Sequence, residues 1–125
     1  MSKNTKNEVK LISSQAEFES LLDSQATLLV LFSREDCGYC QIALQNITQV
    51  LANFPGFTLY VLKLNDFPQL FEKYSIQSVP VLKIFKQGEA VYTGFGIRKV
   101  SDLYYQFKDY LPGLNSYYSD LEKNN

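Results

Sequence analysis

The sequence predicts a single α/β domain built on a mixed central β-sheet with helices on both faces. Three features carry that prediction. Thr27-Leu28-Leu29-Val30-Leu31-Phe32 is an unbroken apolar run of strand length, the pattern of a strand buried on both sides. Helix-period stretches stand between the successive strand-like stretches, and such crossovers make the strands they connect parallel. Lys86-Gln87-Gly88-Glu89 then joins two short apolar segments as an antiparallel hairpin. The element order is β-α-β-α-β-α-β-β-α.

Each element has its own signal. Residues 1–8 form a polar, flexible lead, and Val9 to Ile12 alternates as a short edge strand would. Ser14-Gln15-Ala16-Glu17 has the S-x-x-E form of a capping box, and Phe18, Leu21 and Leu22 follow on one helical face. That helix ends near Asp23 or Ser24. After the Thr27–Phe32 strand, Ile42, Leu44, Ile47, Val50, Leu51 and Phe54 recur near a 3.6 period, which predicts a helix from Cys37 to Asn53 stopped by Pro55-Gly56. Phe57 to Leu64 reads as a strand, and a short helix starts near Pro68. Val81–Phe85 and Ala90–Thr93 form the hairpin. Val100, Leu103, Tyr104, Phe107 and Leu111 mark the closing helix, with Ser101 as its cap and Pro112-Gly113 as its stop. The domain spans 9–111, and residues 112–125 form a tyrosine-containing tail.

Composition narrows the function. With 125 residues, the chain is long enough for one buried core. Twelve basic against 13 acidic residues, with no basic run, give no surface for nucleic acid or anionic membrane. No histidine is present, so the commonest general base and metal ligand are missing. The polar N-terminus MSKNTKNEVK has no apolar signal core, and no apolar run is long enough to span a bilayer. The expectation is a cytoplasmic protein, where a close cysteine pair is more often redox-active than a permanent staple.

Both cysteines lie in Ser33-Arg34-Glu35-Asp36-Cys37-Gly38-Tyr39-Cys40-Gln41. A strand precedes them and a helix follows, which puts Cys37 at a helix N-terminus where free N–H groups and the helix dipole favour a thiolate. Cys40, one turn on, is placed to attack a mixed disulfide on Cys37. Cys37 is therefore the candidate nucleophile, Cys40 the resolving thiol, and Gly38 keeps the approach to both open for a protein substrate. A structural zinc site takes about four ligands and this pair offers two, so a metal or iron–sulfur cluster would need a second copy of the chain. An inert buried pair is the other alternative. The strand–turn–helix setting favours exchange over both.

With these residues in place, the chain resembles the thioredoxin superfamily. Leu28-Leu29-Val30-Leu31-Phe32 leads into Cys37-Gly38-Tyr39-Cys40, and Ser78-Val79-Pro80-Val81-Leu82-Lys83-Ile84-Phe85-Lys86-Gln87-Gly88-Glu89 and Gly96 follow at the family's separation. The resemblance covers residues 9 to 111 and implies the thioredoxin-like fold. It also implies that Pro80 follows a cis bond facing the cysteines, where the residues alone would read as a trans proline opening an edge strand. Val79 would then present its backbone to an extended substrate. Tyr39 would border the same substrate site; it also resembles the tyrosine common in glutaredoxins, though one residue does not carry over a glutathione site. No cofactor and no metal are implied.

The departures from the family pattern are specific. Asp36 replaces a tryptophan, Tyr39 a proline and Gln41 a lysine, while Leu31 stands where the family has a buried acid. In the family that acid and lysine help move the proton of the resolving cysteine. Without them Cys40 must use water, a backbone group or the substrate, and slower resolution than in an ordinary thioredoxin is expected. Asp36 reads either as a pKa-tuning carboxylate beside Cys37 or as a solvated loop residue or helix N-cap. Its repulsion of the Cys37 thiolate, roughly 0.5–1 kcal/mol, nearly cancels the helix N-terminus, so the couple should be reducing.

The function expected is a thiol–disulfide oxidoreductase acting as a reductant on protein disulfides. It would be a monomer recharged by a thioredoxin reductase-type donor. Two alternatives stand beside it. One is a thioredoxin-like accessory protein for disulfides of secreted peptides such as bacteriocins. The other is a non-catalytic binding module using the Val79-Pro80 edge.

Overall fold

The structure is a computed structural model and describes residues 7–111. Its elements are β1 (Glu8–Leu11), α1 (Gln15–Ser24), β2 (Thr27–Ser33), α2 (Gly38–Leu51), β3 (Thr58–Lys63), α3 (Pro68–Lys73), β4 (Val81–Lys86), β5 (Glu89–Phe95) and α4 (Val100–Tyr110). They follow the order read from the sequence. The strands make one sheet in the order β1-β3-β2-β4-β5. β3 lies parallel to both β1 and β2, while β4 runs antiparallel to β2 and β5.

β2 is the middle strand, and its apolar run serves two cores at once. Leu29 and Leu31 join Leu59, Val61, Leu82 and Ile84 beneath Ile47, Val50 and Leu51 of α2 and Leu103 and Phe107 of α4. Leu28, Val30 and Phe32 point the other way, to Phe18 of α1 and Leu70 and Phe71 of α3. A strand covered on both faces has no solvent side for polar residues, which explains its unbroken apolar sequence.

Local chemistry sets the element ends. Ser14 Oγ accepts the Glu17 N–H at 3.0 Å and caps α1. The Glu17 carboxylate turns back one residue further than a capping box requires, accepting from the Ser13 N–H at 2.8 Å and the Ser13 hydroxyl at 2.9 Å. Those bonds hold it below the usual carboxylate range. Between β4 and β5, Gln87 and Gly88 both take positive φ (52° and 83°), as a two-residue hairpin turn of this hand demands.

Two expectations are corrected. Ser101 does not cap α4. The helix starts at Val100 with Lys99 in the N-cap position, and an ammonium group has no lone pair to offer the free N–H groups. The polar lead is shorter than residues 1–8. Glu8 is already in β1, and the Asn7 side chain accepts the Phe57 N–H at 2.9 Å while donating to the Leu51 carbonyl. Residues 1–6 and the 112–125 tail, including the Pro112-Gly113 stop, lie outside the described residues. Among those described, no helix is long and apolar enough to cross a membrane.

Candidate active site

The site forms at the carboxyl end of β2. The parallel register sets Ser33 opposite Lys63, and the Leu64 N–H donates to the Ser33 carbonyl at 2.9 Å. The Glu35 N–H donates to Asn65 Oδ1 at 2.9 Å, so the loop after β2 is tied to the loop after β3. Asp36 then takes φ 54°, a left-handed conformation that aspartate tolerates better than most residues. Its side chain is exposed. This turn delivers Cys37 to the N-cap of α2.

Cys37, not Asp36, is the capping residue. Its Sγ accepts the Cys40 N–H at 3.2 Å, so a free helix donor points at this sulfur. Cys37 and Cys40 are joined as a disulfide with Cα atoms 5.2 Å apart. Cys37 is 8% exposed and Cys40 only 3%, which makes Cys37 the more approachable sulfur.

Beside the disulfide runs a largely apolar groove of about 250 Å3, lined by Tyr39, Val79, Pro80, Gly96 and Ile97. The Val79–Pro80 peptide bond is cis. Gly96 has φ 72° and donates its N–H to the Pro80 carbonyl at 2.8 Å, which seats the 96–98 loop against Pro80. Asn46 Nδ2 donates to the Arg98 carbonyl at 2.9 Å and ties that loop to α2. Tyr39, at 69% exposure, forms the outer wall. Gly38 and Asp36 lie in an adjoining groove with Arg34, Cys37 and Ile42. A Cβ at Gly38 would meet open space, so the fold itself does not require glycine there.

On the other side of the disulfide lies a recess of about 310 Å3. Leu31, Ser33, Glu35, Cys40, Gln41 and Lys63 are among its walls. Leu31 is 1% exposed and puts only hydrocarbon toward the sulfurs from β2. Lys63 reaches the recess from β3 and pairs with Glu35, Nζ to Oε2 3.3 Å. Gln41 supplies no lysine, as read from the sequence, while the strand register brings Lys63 into the same recess as Cys40. Neither Lys63, Glu35 nor Asn65 was singled out from the sequence as part of the site. The signal for Lys63 is its place at the end of the β3 run, legible once β3 is set parallel to β2 in register. A larger recess, about 660 Å3, lies at the far end of α2 by Asn7, Val9, Leu51 and Pro55, away from both sulfurs.

The Thioredoxin family model matches residues 9–109. The chain belongs to the thioredoxin family. It is 32% identical over 87 residues to a thioredoxin from Chlamydia trachomatis, covering 68% of this chain and 85% of that protein. To the thioredoxin-like protein YusE of Bacillus subtilis it is 37% identical over 68 residues, 54% of this chain and 64% of that one. The oxidised thioredoxin of Plasmodium falciparum superimposes with a TM-score of 0.72 at 26% identity, covering 83% of this chain and 99% of that one. A thioredoxin-family chain with a disulfide-forming pair at a helix N-terminus is a thiol–disulfide oxidoreductase. Leu31 and the Glu35–Lys63 pair line the recess with both sulfurs, and Asp36 precedes the first.

Proposed function

We propose that this protein reduces disulfides of client proteins, with Cys37 as nucleophile and Cys40 as resolving thiol. The observation that supports it best is the seat of Cys37: a helix N-cap whose sulfur accepts a backbone N–H, next to the Val79–Pro80 groove. A helix N-terminus favours a thiolate by about 0.3–1 kcal/mol. The reduced protein presents Cys37 as thiolate, which attacks one client sulfur. The client S–S bond breaks, a Cys37–client bond forms, and the other client sulfur leaves as a thiolate and is protonated. Cys40, once deprotonated, attacks Cys37 Sγ, closing Cys37–Cys40 and releasing the second client thiolate. Two electrons pass from the dithiol to the client.

Val79 offers backbone hydrogen bonds to an extended client segment, and Tyr39 and Pro80 pack against its side chains. Gly38 leaves the approach to Cys37 clear, and Asp36 sets the charge beside it. An external dithiol donor of the thioredoxin reductase type regenerates the pair, in a reducing compartment such as the cytoplasm, and the protein works as a monomer. The test is insulin reduction. The parent should precipitate insulin chains in the presence of a reductant. Cys37→Ser should be inert, and Cys40→Ser should accumulate a mixed disulfide on Cys37. No turnover by the parent, together with tight non-covalent retention of the client, would replace this reading with that of a binding module.

A further inference from the structure

We infer that Asn46 is a positioning residue for client binding: its bond to the 96–98 loop fixes Ile97 relative to Tyr39 and so sets the shape of the groove beside the disulfide. The inference rests on the reductant reading above, which puts the client in that groove. Tyr39, Ile42 and Asn46 stand at i, i+3 and i+7 on α2, a spacing that places all three on one face of the helix. Tyr39, at the head of that stripe, lines the groove. Asn46, two turns further and about 10 Å along the axis, donates from Nδ2 to the Arg98 carbonyl at 2.9 Å. One helical face thus supplies both a wall of the groove and a tether for the loop that carries another.

The loop needs that tether. At its start the Gly96 N–H donates to the Pro80 carbonyl, and a Cβ on Gly96 would meet nothing within 4 Å. A glycine with open space around it is a hinge about which the following residues can swing. At the loop's end Arg98 lies outside α4, whose ladder begins with the Leu103 N–H donating to the Lys99 carbonyl at 2.9 Å. The Arg98 carbonyl takes no part in that ladder, and the Asn46 amide serves it instead. The bonds at Gly96 and Arg98 bracket Ile97, which with Gly96 is the loop's contribution to the groove. The Arg98 side chain adds a second anchor, Nε and Nη2 reaching Asp102 Oδ2 at 3.1 and 3.0 Å, but through the far end of a long side chain rather than the backbone. An apolar client side chain entering the groove needs Ile97 in place when it arrives. With the loop untethered, only a fraction of molecules present the formed groove, and apparent affinity falls by that fraction. Reactivity at the sulfur depends instead on the N-cap seat of Cys37, so Asn46 acts on binding and not on exchange once the client is bound.

The experiment follows formation of the Cys37 mixed disulfide by quenched flow and mass spectrometry, in a Cys40→Ser background where the adduct persists. A peptide disulfide with leucines flanking its cysteine, varied in concentration, gives a half-saturation and a maximal rate. Bis(2-hydroxyethyl) disulfide, which has no side chain to place in the groove, is the second probe. Asn46→Leu, close in size but without a donor, and Asn46→Asp, whose carboxylate only accepts, should each raise the peptide half-saturation about two- to tenfold, the range for losing one net hydrogen bond. The maximal rate and the rate with the small disulfide should stay parental. Asn46→Gln, which keeps the amide, should lie closer to the parent. Ile97→Ala should raise the half-saturation by removing the wall itself. Parental half-saturation in both Asn46→Leu and Asn46→Asp beside a raised one in Ile97→Ala overturns the inference alone. An equal loss with the small disulfide also overturns it, as the mark of a general structural fault. A Cys40→Ser protein that forms no adduct with either probe overturns the reductant reading, and parental half-saturation in Ile97→Ala removes the client from the groove and the inference with it.

Discussion

Replacing Asp36 with asparagine should make Cys37 more reactive, and the structure sets both the choice of residue and the size of the effect. Asp36 sits at φ 54°, so alanine there would add backbone strain, whereas asparagine accepts the left-handed region as readily as aspartate. The substitution therefore removes a charge and little else. For a carboxylate and a sulfur on neighbouring residues, whose Cα atoms are about 3.8 Å apart, a separation of about 7 Å at an effective dielectric of about 40–80 gives a repulsion of roughly 0.6–1.2 kcal/mol. The high dielectric is appropriate because Asp36 is exposed. That energy moves the alkylation midpoint of Cys37 down by about 0.4–0.9 of a pH unit. It also moves the couple by about 13–26 mV toward the oxidising side. The assay is iodoacetamide alkylation against pH, read by mass on Cys37, at low salt and at about 1 M salt, where the screening length falls to about 3 Å and the difference between parent and variant should vanish. An unchanged midpoint at low salt, or one that rises, refutes the reasoning.

Other expectations concern the scaffold. Lys83 is buried; its ammonium donates to Thr93 Oγ1 at 2.8 Å and lies 5.9 Å from the Tyr74 ring centre, and burial pushes it below its ordinary value of 10.5. The unfolded chain therefore binds more protons up to about pH 10.5, and stability relative to Lys83→Met should rise with pH toward that value; urea titrations from neutral to alkaline pH showing a flat or falling difference would contradict this. Lys99→Ser should stabilise α4 by about 0.5–1 kcal/mol by supplying the missing cap acceptor, measured as a raised urea midpoint at constant slope. Phe32→Ala should cost about 3–5 kcal/mol, since Phe32 is fully buried and meets Phe71 edge-on with ring centres 5.3 Å apart; a loss under about 2 kcal/mol would show that the core collapses around the gap.

Much of this architecture was legible in the sequence because hydrophobic period and turn chemistry act locally. The Thr27–Phe32 run, the α2 face and the Gln87-Gly88 turn each state their own conformation. The misread features have two causes, an ambiguous helix start and partners distant in sequence. The start of α4 escaped because Val100, Leu103, Phe107 and Leu111 fix the phase of a helix but not its first residue. Asn7 looked like part of a polar lead because its partners, Phe57 and Leu51, are 50 and 44 residues away. The cysteine pair was legible as an exchange site from its setting between strand and helix. The Glu35–Lys63 pair was not, since it exists only once strand register sets Ser33 beside Lys63.

The bond from the Gly96 N–H to the Pro80 carbonyl bears on how long a client stays. Proline has no N–H of its own, and here its carbonyl already serves a neighbouring loop. On the reading proposed above, a client strand lying along this edge would pair with Val79 and then meet a residue with no N–H and a carbonyl already bonded to Gly96. Its grip is a clasp one residue long, worth a few kcal/mol at most when each net hydrogen bond contributes about 0.5–1.5 kcal/mol. On that reading, such a hold would position a sulfur for attack without retaining the product, and departure after exchange would need no separate opening step.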